Sequence, residues 1–147
     1  MARISELLTG GAGGASRTAD AGLLVVRLFT GLALALAHGV GKLPPSPRFI
    51  AGVEEMGFPA PVLFGWAAAL AESVGGTLIA VGLLTRPAAA FVLFTMLVAA
   101  FLREGSAFEE KEKALLFGAV ALMLMLTGPG RYSLDAALRR RRRHPAP

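Results

Sequence analysis

The chain contains no cysteine, so it has no disulfide, no thiolate metal site and no thiol redox centre of its own. Any electrons it handles must be carried by another group. It is also short of charge, with 17% of its 147 residues charged against 54% hydrophobic. At a mean hydropathy of +0.61 there is too much apolar side chain for one soluble core of this size, and lipid is the natural solvent. Histidine is nearly absent, and carboxylates at no ligand spacing do not complete a metal signature, so no metal is expected. No nucleophile motif or nucleotide fingerprint occurs, and the GGAGG of the N-terminal stretch lacks the strand and helix that would give it meaning. The net charge of +5 does not read as a nucleic-acid face, because Arg139, Arg140, Arg141, Arg142 and Arg143 supply five positive charges in one block.

What is present is a set of long apolar runs, organised around PVLFGWAAALAESVGGTLIAVGLL at residues 61–84. A spanning helix needs about 20 apolar residues, and a carboxylate at bilayer depth costs about 2.5–3.5 kcal/mol. Glu72 therefore needs a partner or a task. Residues 1–19 read as a flexible tail, with Ile4, Leu7 and Leu8 as an alternative amphipathic turn, and Asp20 is a candidate N-cap. Residues 21–40 form the first span. Its ALALA run also looks like a cleavage region, but Arg27 interrupts the apolar run and the run is long for a signal peptide. The Pro- and Gly-rich residues 41–60 form a loop with at most an interfacial turn near Phe49 to Met56. Pro61 opens the second span, Thr85 is the expected N-cap of a third at 87–102, and the short turn between them makes them antiparallel. A fourth span at 110–127 reaches adequate length through snorkelling Glu and Lys side chains. Ser133 caps a short turn, and residues 131–147 form a polybasic tail.

The fold class expected is thus all-α: an integral membrane four-helix bundle with a transmembrane domain at 20–130. With four spans, one side collects nine basic residues against three acidic, and the other five against six. Basic residues set orientation, so both termini are expected to be cytoplasmic. The arginine block then serves either as a lipid-headgroup dock or as a topology anchor.

At about 100° per residue, Arg27, Gly31, His38 and Lys42 share one stripe of the first helix, and Glu72, Gly75, Gly76 and Ile79 share one of the second. Gly31, Ala35 and Gly39 recur at every fourth position, so Gly31, Gly39, Gly75 and Gly76 are expected to let helices approach closely. Arg27 lies about 9 Å into its helix and Glu72 about 18 Å before the end of its own, an offset most of which an arginine can bridge. An intramembrane Arg27–Glu72 ion pair is the expectation, acting either as helix glue or as the polar end of a ligand or proton site. His38, Lys42 and Glu112 are expected at the opposite mouth, with His38 exchanging protons or bonding at headgroup level. Phe91, Phe94, Phe101 and Met96 read as packing against lipid or core.

RLFTGLALALAHGVGKL, AESVGGTLIAVGLLTRPAA and EKEKALLFGAVALMLMLTGPGRYSLD together resemble the DoxX family of small four-helix bacterial membrane proteins. Arg27, Gly31, His38, Gly39, Lys42, Glu72, Gly76, Gly82, Thr85, Arg86, Glu112, Gly128, Gly130, Ser133 and Asp135 carry the likeness in order. The resemblance implies a bacterial inner-membrane bundle near quinone-linked redox systems, among them subunits of thiosulfate:quinone oxidoreductase and a membrane complex with superoxide dismutase and a sulfurtransferase. The leading expectation is a membrane subunit or anchor of such a redox complex, in which Arg27 and Glu72 position or protonate the polar end of a quinone or lipid-like ligand and His38, Lys42 and Glu112 line the opposite mouth. The partners expected are membrane lipids, other subunits or further copies of the chain. A scaffold or assembly factor without a small ligand is the alternative; a solute carrier would need inverted repeats, which are not seen.

Overall fold

The computed structural model describes residues 16–103 and 107–143, which form six helices; no strand occurs among the described residues. In chain order these are α1 (Arg17–Lys42), α2 (Pro47–Glu55), α3 (Pro61–Val81), α4 (Thr85–Arg103), α5 (Phe108–Thr127) and α6 (Leu134–Arg143). Three of them, α1, α3 and α4, are long and apolar enough to cross a membrane. The 20-residue α5 opens with charged residues and is apolar from Ala114 onward. The expected tail falls mostly on residues 1–15, outside the described residues. The helix that follows it starts earlier than expected, because the Ser16 hydroxyl accepts from the Ala19 amide at 3.2 Å and caps it.

Helix α1 packs on α3, α3 on α4 and α4 along α5, with α5 touching α1. Small side chains dominate the shared core: Ala88, Ala89, Ala100, Ala114 and Ala121 surround Leu34, Ile79, Val92, Met96 and Leu124. In lipid no hydrophobic force holds helices together, so this close van der Waals packing must do so. The α1–α3 seam is closest. A Cβ added to Gly31 would lie 2.5 Å from the Ala80 nitrogen, and one added to Gly39 would strike the Ser73 backbone. The same holds for Gly76 against the Gly31 carbonyl at 2.8 Å, while Gly75 faces Val92 on α4 at 3.3 Å. Outward the bundle presents Phe29, Leu36, Leu63, Phe91, Phe101, Leu116 and Leu126, all exposed, as an acyl-chain environment requires. Phe94 is exposed as well, whereas Met96 belongs to the core.

Two further ends are built differently from the local reading. Helix α4 begins at Thr85, but its cap arrives from a distant residue: the Asp135 carboxylate accepts from the Leu84 amide at 2.9 Å and from the Thr85 amide and hydroxyl at 3.0 Å each. Asp20 does not cap α1. It is buried, and accepts from the Arg131 amide at 2.9 Å. Ser133 does cap α6, accepting from the Ala136 amide at 3.1 Å. The loop expected at 41–60 carries a full helix, α2, whose first turn is capped by Ser46 with Pro47 next to it. Its Phe49, Ile50 and Val53 face inward, and Ile50 and Phe49 lie within 4 Å of where a Gly65 side chain on α3 would begin.

Candidate functional site

Glu72 is buried in α3, so its two oxygens need donors. Lys42 supplies them: its ammonium Nζ lies 2.6 Å from Glu72 Oε1 and 2.5 Å from Oε2. The lysine side chain is one quarter exposed and the carboxylate 5% exposed, so the pair is wet on one side and dry on the other. Its position follows from the glycine seam, which seats Gly39 on Ser73 and so carries Lys42, three residues on, to Glu72. The Lys42 stem also passes the Phe49 ring of α2, with Nζ 5.5 Å from the ring centre.

Two cavities share this pair as a wall. One, of about 430 Å³, is polar and is lined by Leu34, His38, Lys42, Glu72, Met96, Ala99, Arg103, Lys113, Ala114 and Phe117. The other, of about 180 Å³, lies among α2, α3 and α4 and is walled by Phe49, Val53, Met56, Phe58, Phe64, Phe91, Phe94 and Val98. A charged pair between a polar and an apolar chamber suits a ligand with one polar end. The backbone is irregular at the same level in all three apolar helices: residues 33–39 of α1, 71–75 of α3 and 99–103 of α4 are wide π-type turns. The Val40 amide, for instance, bonds to the Ala35 carbonyl five residues back. Such turns concentrate at functional sites, and here they carry His38, Glu72, Ala99 and Arg103 to one chamber.

A family model described as DoxX matches residues 22–105. The chain belongs to the DoxX family. It is 31% identical over 137 residues to the uncharacterized membrane protein Rv3486 of Mycobacterium tuberculosis, covering 81% of this chain and 82% of that one. It is 34% identical over 128 residues to the inner membrane protein YqjF of Escherichia coli, covering 83% of this chain and 95% of that protein. No solved structure matches. This DoxX chain is therefore a membrane protein, in keeping with its three candidate spans.

The geometry of this DoxX protein corrects the pairing expected from sequence. Arg27 does not meet Glu72. The α1–α3 register places Arg27 level with Ala80, eight residues and about 12 Å along the helix from Glu72. Arg27 is 1% exposed, and its guanidinium donates instead to three backbone carbonyls: Ala80 at 3.2 Å, Pro129 at 2.5 Å and Tyr132 at 2.6 Å. Arg27 is thus a fastener for the 128–133 turn. Glu112 is also misplaced by the sequence reading, since it is exposed and lines neither chamber; its neighbour Lys113 lines the polar one. His38 does line that chamber, its ring edge-on to Phe117 at 5.6 Å. The sequence reading ended the third span at residue 102, one short of Arg103, and had no signal for the π turns that extend the helix to it and bring it to the chamber wall. No group of side chains that could hold a metal ion occurs among the described residues.

Proposed function

We propose that this protein is a multi-pass inner-membrane subunit or anchor of a quinone-linked oxidoreductase complex, and that it holds a quinone or similar lipid-like ligand against the Lys42–Glu72 pair. The observation that carries this reading is the pair itself, a buried carboxylate on an ammonium at the boundary of a polar and an apolar chamber. An ionisable pair at membrane depth is costly and marks a site by default. The chamber walls fit such a ligand. Phe64, Phe91, Phe94 and Val98 offer an apolar bed, Lys42 offers ammonium donors to a carbonyl oxygen, and Glu72 offers an acceptor to a hydroxyl. A bound quinone would supply two-electron chemistry; the residues of this chain orient its head and keep water from the tail.

The reading includes a topology. In it α5 is a fourth span, its charged first turn at the surface and Leu116 and Leu126 against lipid, which returns the chain to its starting side. The excess of basic residues near the Arg27 end puts both termini in the cytoplasm and opens the Lys42 end to the periplasm. The arginines of α6 then lie at the cytoplasmic leaflet, where anionic headgroups attract them.

Photolabelling tests the site. An azido-quinone irradiated with the protein in maltoside micelles is expected to mark peptides containing Phe64 to Glu72 and Thr95 to Ala99. Glu72→Gln should reduce that labelling several-fold. Labelling spread over the lipid-facing positions Phe29, Leu36 and Leu116, unchanged by Glu72→Gln, would overturn the reading and favour a scaffold without a small ligand.

A further inference from the structure

We propose that the ligand of this site is an anionic amphiphile, its phosphate or carboxylate head held by Arg103 and Lys113 in the polar chamber and its aliphatic chain lying in the apolar one. The proposal rests on the reading that the site takes a lipid-like ligand, and within that class it favours an anionic head over the neutral head of a quinone.

The argument begins with the charges on the polar chamber's wall. Lys42, Arg103 and Lys113 are cationic, and Glu72 is the single carboxylate among the lining residues. The charge of Glu72 is matched by the Lys42 ammonium, which bonds both of its oxygens, so it balances neither of the other two cations. Arg103 and Lys113 make no hydrogen bond or ion pair among the described residues; the contact of the Arg103 guanidinium is with the neutral Phe49 ring, 5.5 Å from its centre. Among the described residues the chamber therefore carries two positive charges without counter-charge, on different helices and facing one space of about 430 Å³. The carboxylates closest along α5, Glu109, Glu110 and Glu112, are exposed and line none of it.

A neutral head would leave both cations as they are. An oxyanion neutralises them with charge-assisted hydrogen bonds, and the planar fork of an arginine matches phosphate and carboxylate geometry. A small free anion would satisfy the charges too, but it would leave the second chamber unexplained. Lys42, Glu72, Ala99 and Arg103 belong to both walls, so one molecule can put its head on the cations and its chain among the phenylalanines.

Dodecyl phosphate, dodecanol, inorganic phosphate and decylubiquinone, each titrated into the full-length protein in maltoside micelles and followed by native mass spectrometry, test this. Dodecyl phosphate is expected to bind one per chain, about tenfold or more tighter than dodecanol and than inorganic phosphate. Its affinity should fall as salt rises. The double substitution Arg103→Gln, Lys113→Gln is expected to lower that affinity about tenfold or more and leave dodecanol unchanged. Both side chains are exposed, so the fold should hold, and the charge-preserving pair Arg103→Lys, Lys113→Arg should keep binding. Equal binding of dodecyl phosphate and dodecanol, or indifference to the double substitution, would overturn the proposal. So would inorganic phosphate binding as tightly as its dodecyl ester. Decylubiquinone binding without dodecyl phosphate binding would sink the anionic head while sparing the proposed function; failure of every amphiphile would sink both.

Discussion

Replacing Arg27 by alanine is expected to lower stability by about 3–6 kcal/mol and to release the C-terminal segment from the bundle. Three carbonyls, those of Ala80, Pro129 and Tyr132, lose their donor together. A buried polar group left unpaired costs about 1–3 kcal/mol, and Tyr132, at the surface, recovers part of its share from water. The loss also propagates. Arg27 fixes the 128–133 turn, the turn fixes Asp135, and Asp135 caps α4 through Leu84 and Thr85. Gly82 belongs to the same assembly: with φ of 71° and Arg27 Nη1 only 2.6 Å from where a Cβ would sit, no side chain fits there. Arg27→Lys should recover less than half the loss, because one ammonium cannot replace a guanidinium fork spread over three acceptors. Thermal unfolding in detergent, with limited proteolysis near Tyr132, reads both effects. Wild-type melting of Arg27→Ala would mean that the fastener contributes nothing.

The double substitution Gly31→Ala, Gly39→Ala should cost about 2–6 kcal/mol, taking about 1–3 kcal/mol for each overpacked position. Both new methyl groups would fall on backbone atoms of α3, which cannot swing aside as a long side chain can. The helices must separate, and the displacement reaches the site, since Gly39 is three residues from Lys42. Weaker ligand retention should accompany the lower melting point. Gly22→Ala and Gly41→Ala are matched controls, because a Cβ at either meets nothing within 4 Å and should leave both readings unchanged.

Much of this architecture was legible in the sequence because it is written in long-range composition. Runs of apolar residues broken by Pro and Gly mark the helices, and small residues four apart, Gly31, Ala35 and Gly39, mark a close seam. The partner of Glu72 was not legible from stripes alone. Arg27 and Lys42 occupy the same face of α1, and only the register along the glycine seam decides which of them reaches the carboxylate. The likeness of GPGRYSLD to a family motif was visible, but its physical task was not: carbonyls that receive a guanidinium and an aspartate that caps a helix 50 residues away leave no local pattern. The π turns were equally silent, since one extra residue in a turn costs the hydrophobic period almost nothing over so short a stretch. They are what turn Arg103, at the end of a helix, into part of a chamber wall.

The central claim is that the Lys42–Glu72 pair marks the head of a ligand site inside the bundle. Mass spectrometry of lipid extracts from protein purified in mild detergent tests it most directly, comparing wild type with Lys42→Gln and Glu72→Gln. A single lipid-like species retained at one per chain by wild type and lost from both variants, with folding intact, is the predicted result. Bulk phospholipid alone, in the same amount in all three samples, would contradict it.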